Sequence, residues 1–114
     1  MENDAVCLVR MRERMVRIER YVAGGRGAFM SSTITQDAVL WNLELFCAAA
    51  TRVSDDFKEK HRQVNWGYVC GRFRDVTRDP WHPEPENIWA CIERELPAIR
   101  ENLAAIMRPT TGGY

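Results

Sequence analysis

Arginine and histidine side chains gather in one short stretch of this chain, residues 70–89, with the sequence CGRFRDVTRDPWHPEPENIW. Arg74 and Arg78 are four residues apart, which places them on one face of a predicted helix. His82 follows in a proline-rich turn. Guanidinium stays charged and offers two parallel donors to phosphate, while imidazole gains and loses a proton near neutral pH. An arginine and a histidine held close together can cut RNA without a metal ion.

The same stretch also allows a structural interpretation, because carboxylates lie beside the basic residues. Asp75 and Asp79 occupy the adjoining positions of the predicted helix and can pair with Arg74 and Arg78. Exposed ion pairs of this kind stabilise a protein by only about 0–1 kcal/mol. Arg72 is a further candidate for contacting an RNA phosphate, as is Arg78.

Composition restricts the partners of the chain. Its 114 residues carry 16 basic and 16 acidic side chains, so any site for a polyanion must be a local patch. The length suits a single domain, predicted over 1–108 with a flexible tail at 109–114. No apolar run is long enough to span a membrane and no signal peptide is recognised at the start. We therefore expect a cytoplasmic protein that binds no membrane.

The four cysteines are widely spaced along the chain and each has apolar neighbours. They form no CxxC pair and no Cys/His pattern of the kind that binds zinc. We expect free, buried thiols and neither a cofactor nor a metal. The cysteines are Cys7, Cys47, Cys70 and Cys91.

Helical periodicity runs through the whole chain and predicts an all-α, compact antiparallel bundle of four or five helices. A first helix is predicted over 4–23 and is ended by the glycines of AGGRGAF. A second begins at a capping box of Thr33 and Gln36, and a short third is capped by Ser54. A fourth covers 64–78. The last, 85–107, has Pro97 in its interior, which should bend or break it.

Several motifs, in order, resemble the HepT-like family of the HEPN superfamily. They include TQDAV and NLE in the second helix, KEK and a tryptophan after it, GRFRD, and ENIW with ELP in the last helix. The resemblance covers residues 8–107. It implies a HEPN-like helical bundle, a homodimer, and a ribonuclease toxin paired with a nucleotidyltransferase antitoxin.

The resemblance also implies a catalytic signature of arginine, usually followed by asparagine, then histidine and tyrosine. Arg74 and Asp75 stand at the Arg-Asn position, so the resemblance assigns Arg74 to phosphate, with Asp75 positioning the arginine or the histidine. The histidine position falls near Asp79 and the tyrosine position near Trp81. The histidine of this stretch is His82. Seven residues separate it from Arg74 and three separate it from Arg78, and neither gap matches the family spacing.

Two interpretations follow and both stay open at this point. In the first, His82 has moved with its proline elbow and works with Arg74 as a metal-independent ribonuclease site. In the second, the chain is a non-catalytic HEPN-fold module that binds a nucleotidyltransferase partner or a nucleotide. Whether His82 can approach Arg74 distinguishes them.

Overall fold

The helices of the bundle range from 6 to 23 residues and follow one another closely. The structure, a computed structural model, describes residues 3–108, and the predicted tail at 109–114 lies outside this range. Within that range there are six helices and no strand, which confirms the all-α fold and adds one helix to the expected number. They are α1 (Asp4–Tyr21), α2 (Gly25–Met30), α3 (Thr33–Thr51), α4 (Asp55–Lys60), α5 (Trp66–Thr77) and α6 (Pro85–Met107).

The additional helix is α2, which lies in the glycine-rich segment that the sequence predicted to be only a helix end. Gly25 has a φ of 89°, a conformation open to glycine, and so lets the chain turn sharply after α1. Phe29 is then buried, with its ring 5.4 Å from that of Trp89 on α6. Burial of this aromatic ring outweighs the weak helix propensity of the two glycines within α2.

The start of α3 also differs from the prediction, by one residue. Ser32, rather than Thr33, is the N-cap, and its hydroxyl accepts a hydrogen bond from the backbone N–H of Thr35 at 3.1 Å. Gln36 is buried and donates through Nε2 to the carbonyl of Phe29 at 2.9 Å instead of closing a capping box. The glutamine therefore ties α3 to the end of α2.

One buried apolar cluster joins the helices, and α5 sits against it through Phe73. The ring of Phe73 is fully buried and meets Phe46 of α3 edge-on at 5.4 Å between centroids. This contact leaves two other faces of α5 to line surface grooves. All four cysteines are free and buried, as predicted; they are Cys7, Cys47, Cys70 and Cys91.

The remaining helix ends follow their sequence signals. Ser54 caps α4 by accepting from the N–H of Phe57 at 3.2 Å, which confirms the predicted cap. Pro85 is at the start of α6, where its missing N–H costs nothing. α6 runs unbroken through Pro97, so the prediction of a break is wrong. Pro97 and Glu93 both lie on the exposed side, where water can satisfy the carbonyl that loses its helical partner.

Candidate functional site

His82 lies in the turn between α5 and α6, and Asp79 fixes it there. Its Nδ1 is 3.0 Å from Asp79 Oδ2, and its backbone N–H donates to the Asp79 carbonyl at 3.1 Å. The other carboxylate oxygen of Asp79 accepts from the N–H of Trp81 at 3.2 Å. Both oxygens of one aspartate therefore hold the turn and the ring. Because one ring nitrogen is engaged and the side chain is 84% exposed, Nε2 remains open to a substrate.

The imidazole borders a groove between the end of α5 and the start of α6, which we call the His82 groove. Its volume is about 560 Å³. It holds two arginines and His82 against three carboxylates, so its charge is nearly balanced. The lining residues are Arg72, Asp75, Val76, Arg78, Asp79, His82, Glu84, Asn87 and Ala90.

Arg72 is held at the edge of this groove by a buried carboxylate. Its Nε lies 3.6 Å from Oε2 of Glu95 on α6, and the side chain of Glu95 is only 10% exposed. The hydroxyl of Tyr68 donates to the same oxygen at 3.1 Å. A buried charge is tolerated when it is paired and hydrogen-bonded. Glu95 thus fixes the position of Arg72 relative to α6.

Arg78 is held more loosely than Arg72. Its Nη2 lies 3.5 Å from Asp75 Oδ1, and both side chains are more than half exposed. Such a pair is worth about 0–1 kcal/mol, so a phosphate can replace the aspartate at little cost. Asp75 contacts this arginine, whereas Asp79 is the carboxylate bound to His82.

Arg74 does not line the His82 groove with Arg78, so within one chain the expectation that these two arginines share a site is not met. Its Nη2 donates to Thr51 Oγ1 at 3.3 Å. It borders a second groove of about 220 Å³, which we call the Arg74 groove. Within one chain the structure therefore brings Arg72 and Arg78 to His82, and keeps Arg74 apart. The Arg74 groove is lined by Ala50, Thr51, Lys58, Trp66, Gly67, Cys70 and Arg74.

Sequence reasoning named the basic residues of this region and Asp75, but it paired neither Asp79 with His82 nor Glu95 with Arg72. Asp79 had a usable signal, since an aspartate before proline often bonds the backbone two residues later. Glu95 had none, because it lies far from Arg72 in the sequence and reaches it only through packing of α6 on α5.

Comparison with known proteins agrees with this architecture. The sequence profile described as "Ribonuclease HepT-like" matches residues 11–106, most of the chain. The chain belongs to the HepT-like ribonuclease family. It is also 22% identical over 80 residues to "Putative RNase TTE0752" of Caldanaerobacter subterraneus subsp. tengcongensis, an alignment that covers 70% of this chain and 71% of that protein. No solved structure matches the chain.

No helix of residues 3–108 is both long and apolar enough to cross a membrane. Among the same residues, no group of three or more histidine, cysteine or acidic side chains is arranged to hold a metal ion.

Proposed function

We propose that this HepT-like chain is an endoribonuclease that cleaves RNA without a metal ion, as the toxin of a cytoplasmic toxin–antitoxin pair. Membership of the family supports ribonuclease activity. The observation that supports a particular site for this activity is the hydrogen bond between His82 and Asp79. This pair lies at the edge of a groove that Arg72 and Arg78 also line.

His82 is the proton carrier in this proposal. Its neutral Nε2 takes the proton of a ribose 2′-hydroxyl, and the 2′-oxygen then forms a bond to the adjacent phosphorus. The bond from phosphorus to the 5′-oxygen breaks, and the 5′-oxygen takes a proton from the protonated imidazole of a second His82 in a partner chain. The products are a 2′,3′-cyclic phosphate and a 5′-hydroxyl. Asp79 stabilises the imidazolium that forms, because a carboxylate accepts strongly from a charged donor.

Arg72 and Arg78 stabilise the developing charge on the phosphoryl oxygens. Arg72 is held at the groove by Glu95, so little rearrangement is needed when it contacts the substrate. Arg78 exchanges its weak contact with Asp75 for a phosphate oxygen. Each guanidinium offers planar, paired donors that match phosphate geometry.

A homodimer would complete the site, because the leaving 5′-oxygen needs a proton and the groove of one chain has a single imidazole. Exposed aromatic surface beside the groove supports such a contact: Trp81 is 88% and Trp41 62% exposed. Trp41 and Pro80 line a further groove of about 520 Å³ that also includes Arg78. A second copy, or a nucleotidyltransferase antitoxin, docked there would cover these rings and approach His82.

A separate proposal concerns Arg74, for which the sequence analysis also predicts a role in RNA cleavage. In one chain it contacts Thr51 and lines the other groove. In a homodimer, Arg74 of one protomer can serve the His82 of its partner. Loss of activity in Arg74→Ala, together with dependence on dimerisation, is the result that this arrangement predicts.

The rival proposal is a non-catalytic module that binds a nucleotidyltransferase partner or a nucleotide. Asp75, Asp79 and Glu84 favour it, since they line the same groove and oppose the approach of a phosphate chain. A groove with balanced charge binds a polyanion less strongly than a basic one.

RNA cleavage by the purified chain in the presence of a chelator decides between these functions. We expect His82→Ala to lower the rate by about 10²–10⁴-fold, the usual contribution of a general acid or base. His61→Ala is the matched control, because His61 stacks on Phe57 and lines neither groove. Arg78→Ala and Arg74→Ala, assayed together, show which arginine serves the reaction. A parent protein that binds RNA but never cleaves it favours the rival. Cleavage indifferent to His82 and to both arginines would show that the assigned site does not carry the activity.

A further inference from the structure

Two of the four buried cysteines meet across the interface of α3 and α5. The Cys47 thiol donates a hydrogen bond to the backbone carbonyl oxygen of Cys70, with Sγ and oxygen 3.9 Å apart, and the two thiols lie close enough to shift each other's pKa. Both side chains are 7% exposed. The residues that follow Cys47 in α3 are alanines, whose small side chains allow the two helices to lie close together.

Cys70 has access to small solutes through the Arg74 groove, because it lines that groove beside Arg74 and Lys58. The groove therefore offers two cations and no carboxylate among its described lining residues. Positive charge next to a thiol favours the thiolate, which is the form that reacts with oxidants and electrophiles.

The two thiols of the pair differ in acidity, with Cys70 the more acidic and Cys47 the less acidic. The hydrogen bond from Cys47 lowers the pKa of Cys70, with Arg74 and Lys58 contributing in the same direction against the effect of burial. The same hydrogen bond, together with burial, raises the pKa of Cys47. Cys70 is thus the nucleophile of the pair and Cys47 its proton donor.

We propose that Cys47 and Cys70 form an oxidisable dithiol in which a peroxide reacts first with Cys70 through the Arg74 groove. The Cys70 sulfur displaces water from hydrogen peroxide and becomes a sulfenic acid, so that the sulfur is oxidised and the peroxide is reduced. The Cys47 sulfur then bonds to the Cys70 sulfur and releases a second water. Two thiols and one peroxide give one disulfide and two waters.

A disulfide between Cys47 and Cys70 is a function separate from RNA cleavage, and it would change the Arg74 groove. A disulfide needs its sulfurs about 2.05 Å apart, so it draws α3 and α5 together one turn before Arg74. The thiol pair is a modification site in its own right, whether or not the chain cleaves RNA.

Intact-mass and peptide mapping of the reduced full-length chain after hydrogen peroxide treatment tests the proposal. We expect loss of two hydrogens and a cross-link between the peptides of Cys47 and Cys70, reversed by a dithiol reductant. In Cys47→Ser the cross-link cannot form, so Cys70 should accumulate as a sulfenic acid that a 1,3-diketone probe captures.

Cys91 provides the matched control. Its thiol also lies 3.9 Å from a carbonyl oxygen of α5, that of Arg72, but Cys91 shares no hydrogen bond with another thiol. Burial raises its pKa to about 11. Cys91→Ser should therefore form the cross-link at the parent rate, and Cys70 should react at least about tenfold faster than Cys91.

The denatured chain, treated with hydrogen peroxide in the same way, shows the relative reactivity of the four thiols when the fold is absent. The proposal is overturned if the native chain oxidises all four thiols at similar rates. It is equally overturned by a cross-link that involves Cys7 or Cys91, by one formed only between chains, or by Cys70 staying reduced in folded Cys47→Ser. All of these readouts are independent of RNA cleavage.

Discussion

The two surface faces of α5 carry different chemistry although they belong to one short helix. On one face the His82 groove places exposed basic and acidic side chains side by side in water. On the other, the Arg74 groove combines two cations with the buried pair of Cys47 and Cys70. The first is suited to binding and proton transfer with a large polar substrate, and the second to a small reactive molecule.

The difference shows how burial decides what a charged neighbour can do. Arg78 and Asp75 are both exposed, so their interaction is weak and is easily exchanged for a ligand. Arg74 acts on a thiol that is largely screened from water, where the same charge has a larger effect on acidity. In the proposed functions, arginine therefore serves binding on one face of α5 and thiol activation on the other.

Phe73→Ala should have the largest effect, because it removes the ring that supports both faces. Truncating a fully buried phenylalanine lowers the free energy of unfolding by about 3–5 kcal/mol, which urea denaturation would measure. RNA cleavage and selective oxidation of Cys70 should then decline together. Phe57→Ala, which truncates a half-buried ring on α4, is the control and should cost less. Equal costs for the two substitutions would contradict the supporting role of Phe73.

Asp79→Asn should impair the function proposed for the His82 groove and leave the function proposed for the Arg74 groove unchanged. We expect kcat for RNA cleavage to fall about tenfold, equivalent to about 1.4 kcal/mol, because a neutral amide stabilises the imidazolium of His82 less than a carboxylate. Oxidation of Cys70 should be unchanged. The comparison rests on steady-state kinetics alongside peptide mapping.

Asp75→Asn is the matched control for that change. Each substitution removes one negative charge from the His82 groove, so any gain in RNA affinity is common to both. Asp75 contacts Arg78 and not His82, so its kcat should fall less. If the two variants show the same kcat, the contact between Asp79 and His82 has no role in catalysis.

Asp4→Asn should have the smallest effect and should depend on pH. The backbone N–H and the hydroxyl of Ser54 both donate to the Asp4 carboxylate at 2.7 Å and lower its pKa from 3.8. The resulting stability is present above pH 3.8 and is lost as the pH falls through the lower value of the folded state.

Thermal unfolding of the parent and Asp4→Asn, measured from neutral to acidic pH, checks this expectation. The parent should be slightly more stable at neutral pH, and the two curves should converge in acid. Ser54 caps α4, and α4 carries Lys58, which lines the Arg74 groove. Any shift of α4 in the variant should therefore affect the Arg74 groove more than the His82 groove. A difference that persists unchanged in acid would show that the charge of Asp4 does not matter.

Much of the fold follows from local sequence signals. Apolar periodicity located the long helices, Ser54 identified the start of α4, and apolar neighbours indicated buried cysteines. α2 was missed because its glycines disfavour a helix locally, while the burial of Phe29 that stabilises it depends on α6. The N-cap of α3 was displaced by one residue because Ser32 and Thr33 carry equivalent hydroxyl groups.

The candidate sites were less accessible to prediction, since they depend on contacts between helices. Residues 70–89 supplied His82 and the arginines, yet not the face of α5 on which each arginine lies. The pairs Cys47–Cys70 and Arg72–Glu95 join distant parts of the sequence. Both depend on the rotation of one helix against another, which spacing along a single helix does not determine.

The sharing of α5 by two grooves restricts which changes in chain length the protein can accept. One residue inserted in the middle of α5 rotates everything after it by about 100°, which would turn Arg74 and Arg78 away from their present grooves together. An insertion after Arg78, the C-cap of α5, moves only the turn that carries His82. Length variation is therefore compatible with function in the proline elbow and incompatible with it in the helix, so the histidine, and not the arginines, is the residue free to change its distance along the chain.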